Sequence, residues 1–472
     1  MRRHYREFAF AFVFLSSIAI GLLRPFSPEL DVLGHSTLAV LICTTGLWIF
    51  EPFGLSVGIS SCCMFALTLL VGLPTETVFS GFSQTSVWTM IPTLFFGYVL
   101  KKTGLGKRMA YLLLRQIHTV TYPKLILCWS LLGILLSFFT PSITVRVILI
   151  IPLALECVQL CGIPKHSRGR SLLLLTAWAM AVIPGIGWST GSLMGPILTG
   201  IFSTVDALPD ISFSVWFQVM FLPAMLVSLL LVSAGALILR PRDSLRVEAT
   251  VFETLYQQLP PLSRPEKISA IVLCSCFLLF ATGTVHQIPD VVICLLGFFI
   301  LCTCRIIQPA EISTGISWDI VLFVGASMSL GSIFTASGLS DWFSKLLFPL
   351  FGTILQNPWV FMPVMLTLLF LWRFIDVALL TPTIVVLSSV LPDLKESYGL
   401  SPLAWLPLFC FAICSFFLKY ENMFLLIGED ILQDNGWTGK DRSKYATVYF
   451  AACLVTILAM IPYWTNLGLF NN

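Results

Sequence analysis

Arg146 stands on an apolar run, at what should be membrane depth, with no acid within one helical turn. Its planar guanidinium presents a fork of donors that suits a carboxylate or sulfate, two of whose oxygens it can bind at once. A charge at mid-bilayer is expensive, so it usually faces a cavity and marks a pathway. Two further cations share that depth. Arg373 lies three residues before Asp376, a spacing that lets the two pair on one helical face. Lys419 and Glu421 flank Tyr420 in an interrupted apolar run, and they too can form an ion pair. A fourth element is Pro184-Gly185-Ile186-Gly187-Trp188-Ser189-Thr190-Gly191-Ser192. Its small residues free the backbone to unwind. The half-helix ends then offer N–H groups to an anion and carbonyls to a cation. Close helix packing through the same small residues is the alternative.

These residues sit on elements that occur twice. Residues 140–156 read T-P-S-I-T-V-R-V-I-L-I-I-P-L-A-L-E, and residues 381–396 read T-P-T-I-V-V-L-S-S-V-L-P-D-L-K-E. Each copy follows a tryptophan and then a Gly-Leu pair: Trp88 with Gly104-Leu105, and Trp318 with Gly338-Leu339. Prolines interrupt the apolar runs of both copies. Duplicated, interrupted apolar units mark secondary transporters built from repeats.

Composition fixes the solvent. The chain has 472 residues, of which 57% are hydrophobic and 11% charged, against about 25% charged in soluble domains. Too little polar surface exists to coat a soluble globule. The expected fold is an all-α polytopic membrane protein with about 11 transmembrane helices plus two re-entrant hairpins in an inverted two-fold repeat. The first repeat spans 1–239, with a hairpin at 124–158 and an interrupted helix at 171–202. A cytoplasmic linker covers 240–267. The second repeat spans 268–472, with a hairpin at 358–392 and an interrupted helix at 402–432. Non-helical backbone at membrane depth is tolerated only where protein or water satisfies it, which favours re-entrant hairpins over straight spans.

Charge sets the orientation. With the N-terminus in the cytoplasm and the C-terminus outside, most of the 27 basic residues fall on the cytoplasmic side, as the positive-inside rule requires. Segment 8–23 follows Arg2, Arg3 and Arg6. It lacks a small-residue cleavage site and reads as a retained span of a cell-membrane protein. The fourteen cysteines lie inside apolar runs and act as small hydrophobes. No CxxC pair with a histidine partner argues for zinc. G-W-S-T-G matches a hydrolase elbow, but the histidines fall in loops or at span ends, and an enzyme is not expected.

The residues resemble the divalent anion/sodium symporters, which carry dicarboxylates, citrate and sulfate. T-P-S-I-T-V-R resembles the T-P-S-N-T-A-R of the first hairpin tip in the citrate and 2-oxoglutarate/malate branch. Trp318-Asp319-Ile320-Val321-Leu322-Phe323 before Ser337-Gly338-Leu339 resembles the W-D-I-L-L-x-F…S/T-G-L stretch. The resemblance implies a dimerising scaffold and a transport domain that moves like an elevator, with substrate between the two hairpin tips. It implies substrate-binding roles for Ser142, Thr144, Arg146, Gly187, Ser189, Thr190, Arg373, Thr381 and Thr383. Asp376, Lys419, Glu421 and Asn422 become candidates for ion coupling, with sodium or protons as the ion. No other cofactor and no confident metal site are expected. The partners are a small anion, the lipid bilayer and a second copy of the chain, with no nucleic acid.

The chain also departs from that pattern. Ile143 replaces the tip asparagine, and the second tip, counted back from Pro392 to Pro382-Thr383-Ile384, has no Ser-Asn-Thr. The expected function is a secondary carrier of a di- or tricarboxylate or sulfate, weakly dependent on sodium, with the Lys419 ammonium standing in for a bound cation. A proton-coupled antiporter using Glu421 or Asp376 is the nearest alternative. A membrane sensor or scaffold is another, although a rigid sensor need not keep three membrane-depth cations.

Overall fold

The computed structural model describes residues 2–140, 142–203, 208, 211–242, 245, 250–351, 357–376 and 379–470. Pro141 of the first tip, Arg246 and parts of the 240–267 linker lie outside the described residues. Every regular element among those described is helical, because only helices satisfy each backbone group within the segment when water is absent.

The first half runs α1 (Arg2–Leu23), α2 (Val32–Phe50), α3 (Val57–Leu70), α4 (Thr85–Thr103) and the amphipathic α5 (Leu105–Leu114). The hairpin α6 (Tyr122–Phe139) and α7 (Ile143–Leu160) follows, then α8 (Arg168–Val182), a break, α9 (Met194–Ser203) and α10 (Phe213–Ile238). The linker carries α11 (Thr250–Gln257). The second half contains α12 (Arg264–Ala281), α13 (Asp290–Thr303), α14 (Trp318–Ala336) and α15 (Leu339–Phe351). A second hairpin of α16 (Pro358–Trp372), α17 (Thr381–Ser388) and α18 (Leu391–Tyr398) precedes α19 (Trp405–Ile413), another break, α20 (Met423–Leu432) and α21 (Gly439–Asn466). Eight of the described helices are long and apolar enough to cross a membrane; several shorter apolar helices belong to the interrupted units.

The recurring tryptophans make the same contact. Trp88 Nε1 donates to Phe82 O at 2.9 Å and Trp318 Nε1 to Ile312 O at 3.0 Å, each six residues back. Asp319 locks α14 to α3, accepting from Ser56 Oγ and, at 3.1 Å, from Gly58 N. Helix α8 is the centre of the molecule: residues 169–198 are buried without exception. Its polar residues are matched by the second half. Arg170 Nε donates to Asn435 O at 2.7 Å, Ser171 Oγ to Asp441 at 2.8 Å and Trp178 Nε1 to Phe424 O at 3.0 Å.

The linker is docked. Arg108 of α5 grips Glu266 through Nε at 2.7 Å and also donates to Pro260 O at 2.6 Å. The Arg115 guanidinium lies 4.1 Å over the Tyr256 ring. Helix α5 also reaches the first hairpin, with Tyr111 donating to Glu156 at 3.1 Å. Nearby, Lys102 Nζ meets Glu311 at 2.6 Å. Lys102 and the Gln308 N–H hold that carboxyl at about 2, against the usual 4.5. A depressed carboxylate stabilises the fold fully above its unfolded value and loses that contribution as pH falls toward its folded value. Wild type should therefore melt above Glu311→Gln at pH 6, with the gap narrowing below pH 4.5 and closing only toward pH 2, as thermal unfolding at each pH will report.

Candidate anion site at two helix breaks

The two breaks arise differently. At the first, Pro184 has no N–H to continue α8, and three glycines in 185–191 lower the cost of unwinding. At the second, no proline or glycine lies between Cys414 and Asn422. Side chains hold it instead. Asn422 Oδ1 accepts from Phe424 N at 3.0 Å and Leu425 N at 3.3 Å, capping α20. Its Nδ2 donates to Ser415 O at 3.2 Å, and Glu421 accepts from Phe417 N at 2.8 Å.

Both breaks and both hairpin turns meet at a small cavity lined by Ile143, Ser192, Leu379, Cys414 and Asn422, among others. Its volume, about 10 Å³, suits roughly one water molecule.

The electrostatics around this point are unusual. Arg146 is fully buried, and none of its three guanidinium nitrogens has a hydrogen-bond partner among the described residues. Gly185 makes room for it: a Cβ there would lie 2.4 Å from Nη1. Arg373 is also buried, and its Nε is likewise unpaired among the described residues. Cys414 lies close enough for both guanidinium charges to act on it. Ser192 Oγ, Thr381 Oγ1, Ser415 Oγ and Glu421 Oε1 are further buried atoms without a hydrogen-bond partner among the described residues. Leaving such groups unmade costs about 1–3 kcal/mol each. Unmet guanidinium donors are groups that the acceptor oxygens of an anion can satisfy.

Ser142 caps α7, accepting from Val145 N at 3.3 Å. Thr144 lies on the first turn of α7, half-buried. Gly187 faces α10, near Ala224 and Phe221, and stands apart from the cavity. Ser189 and Thr190 open into a second cleft on the other side of the break. Thr383 accepts from Trp372 Nε1 at 2.8 Å and donates to Asp376 at 2.5 Å.

Three expectations are corrected. The Arg373 guanidinium hydrogen-bonds main-chain oxygens, those of Asp376 at 2.5 Å and of Glu421, and the Asp376 carboxylate is close enough for its charge to act on it, but not along a helical face. Residues 373–375 form a turn, so the helical spacing does not apply. Lys419 does not pair with Glu421. It is exposed and reaches Glu429 at 2.5 Å, because the tight turn at Lys419–Glu421 sends the two side chains apart. It therefore cannot serve as a fixed cation beside the cavity. The second tip lies earlier than the count from Pro392 suggests: residues 373–375 and 379–380 are its described turn residues. Pro382-Thr383-Ile384 instead begins α17, where proline needs no N–H. In that turn Leu379 and Leu380 hold left-handed conformations, φ 55° and 54°, which cost about 1–2 kcal/mol per non-glycine residue. Cys414 and Ser415 were missed by sequence reasoning. Their only signal was proximity to the break.

Interrupted helices facing each other inside a polytopic helical bundle are the architecture of secondary membrane transporters. The chain belongs to the family described as the sodium:sulfate symporter transmembrane region, whose model matches residues 5–437. It is 26% identical over 346 residues to dicarboxylate transporter 1, chloroplastic, of Arabidopsis thaliana, covering 70% of this chain and 61% of that protein. It is 26% identical over 279 residues to the L-tartrate/succinate antiporter of Escherichia coli strain K12, covering 57% of this chain and 56% of that one. In both cases the match spans less than two thirds of the relative's length. The solved YdaH transporter of Alcanivorax borkumensis shares the fold, with a TM-score of 0.57, 14% identity and full coverage of both chains.

Proposed function

We propose that the chain is a secondary carrier for a small dianion, a dicarboxylate before a tricarboxylate or sulfate, working by an elevator motion in the cell membrane. The observation that carries this reading is Arg146, fully buried with its donors unpaired among the described residues, where both helix breaks converge. Relatives named for dicarboxylates and for tartrate and succinate support the substrate class. Residues 1–239 and 268–472 act as repeats joined by the 240–267 linker, a reading supported by the matching order of hairpin, broken helix and closing span. The carrier works as a homodimer of eleven-span subunits, with the N-terminus in the cytoplasm and the C-terminus outside. The transport domain holds both hairpins and both breaks.

Two guanidinium groups balance a dianion without a sodium ion between the tips. Ile143 offers no side-chain oxygen there, whereas alkali cations want several. Exchange of one anion for another is the favoured mode. Proton coupling through Glu421 is the second, favoured by its unpaired, buried Oε1. Uptake of labelled dicarboxylates, citrate and sulfate into liposomes tests the reading. Uptake should persist when potassium or choline replaces sodium, and should rise with counter-substrate inside. A pH optimum lost in Glu421→Gln would select the proton mode. Uptake that vanishes without sodium would overturn both.

A further inference from the structure

On the far side of the first break, between α4, α9 and the start of α13, lies a cleft of about 190 Å³. It opens at Thr85, Thr89 and Pro289 and is floored by buried Thr93, Ser189 and Thr190. Its hydroxyl groups have one proton each, and most of those protons are engaged. Thr89 donates to Thr85 O at 2.9 Å, Thr93 to Met90 O at 2.8 Å and Thr199 to Gly195 O at 2.9 Å. Ser86 Oγ lies 3.0 Å from Thr199 Oγ1 and, with that proton spent, is the donor. Four oxygens are thus left to act as acceptors. Thr190 Oγ1, more than nine-tenths buried, has no partner among the described residues. Among the described residues, the one charged side chain in the lining is the Asp290 carboxylate, which has His286 as its titratable neighbour. Among the described residues, no lysine or arginine contributes to the lining.

Acceptor oxygens around a single carboxylate repel an anion and suit a cation. A divalent ion would want more carboxylates, and the described residues contain no cluster of three His, Cys, Asp or Glu side chains that could hold a metal. We infer that this cleft binds a partly hydrated alkali cation, outside the anion cavity and separated from it by the Ser189–Gly191 turn. Thr190 faces the cleft, and Ser192 faces the cavity. A cation there ties α4 and α13 to α9. If the proposed carrier motion is right, the cation biases that motion without travelling between the tips.

The binding itself can be tested without transport. The full-length protein, in nanodiscs with no organic anion, is melted in sodium, potassium and choline chloride at equal ionic strength. Sodium or potassium should raise the midpoint over choline in a saturable way, and the comparison identifies which ion fits. Asp290→Asn and the near-isosteric Thr93→Val should each weaken that response roughly tenfold or more, the scale of one lost contact. Both should keep the stabilisation given by a dicarboxylate in choline. A Thr89→Cys variant should be shielded from a cationic thiol reagent by the favoured ion. Equal midpoints in all three salts, or a cation response surviving in both variants, would overturn the inference. If a dicarboxylate stabilises the protein but no cation does, this proposal falls and the carrier reading stands. A cation response with no response to any anion supports the cation cleft and overturns the carrier reading.

Discussion

Arg146→Ala should nearly abolish dicarboxylate uptake while the protein still folds, and Arg146→Met should melt above wild type in the absence of anion. A buried charge without partners is a liability of several kcal/mol. Methionine removes it and fills most of its volume, avoiding the cavity that alanine leaves. Binding suffers oppositely. Losing a charge-assisted contact costs about 1.5–3 kcal/mol, or roughly ten- to hundredfold in affinity. Arg146→Lys keeps the charge but loses the fork, so it should fall between wild type and alanine. The diagnostic pattern is higher intrinsic stability together with loss of the substrate-induced thermal shift. Undiminished uptake by the alanine variant would show that the guanidinium serves structure alone.

Gly185→Ala should be nearly as damaging, although alanine is a better helix former. Its Cβ would lie 2.2 Å from the Gly191 carbonyl oxygen, and 2.4 and 2.7 Å from the two terminal Arg146 nitrogens. The carbonyl belongs to the break and the guanidinium is sealed in, so neither can retreat cheaply. Overpacking of this kind costs about 1–3 kcal/mol, and uptake should drop at least tenfold as Arg146 is displaced. Gly187→Ala is the control, because its Cβ would sit 3.3 Å from Ala224 Cβ, against the neighbouring helix α10. Equal damage from both substitutions would mean that the break needs flexibility in general and not the Arg146 pocket.

How much of this was legible follows from what encodes each feature. Apolar run length and proline position encode helices and interruptions, so the apolar helices and the first break could be read directly. The turn before α7 was also legible, because Thr140-Pro141-Ser142 ends on the residue that caps that helix. The second tip was misplaced, since Pro382 reads the same in a turn as at a helix start and Leu379-Leu380 carries no sign of left-handed backbone. Lys419 and Glu421 marked the second break through their charge. Their partners depend on how a tight turn aims alternate side chains, which spacing alone does not give. Cys414 and Ser415 look like ordinary apolar-run residues, and only the fold sets Cys414 near the arginines and Ser415 against Asn422.

The burial of α8 has a consequence for how the protein is made. Arg170, Ser171 and Thr176 find their partners at Asn435, Asp441 and Tyr445, which lie 265, 270 and 269 positions later in the chain. During synthesis this helix enters the membrane before any of those partners exists. It must be sheltered by the insertion machinery, or wait as a polar-studded span, until α21 emerges. Completion of the α8 contacts therefore waits for α21, and lesions in α21 should be felt first at the break that follows α8. Cellular quality control would meet such a chain as an unfinished protein and not as a slow carrier.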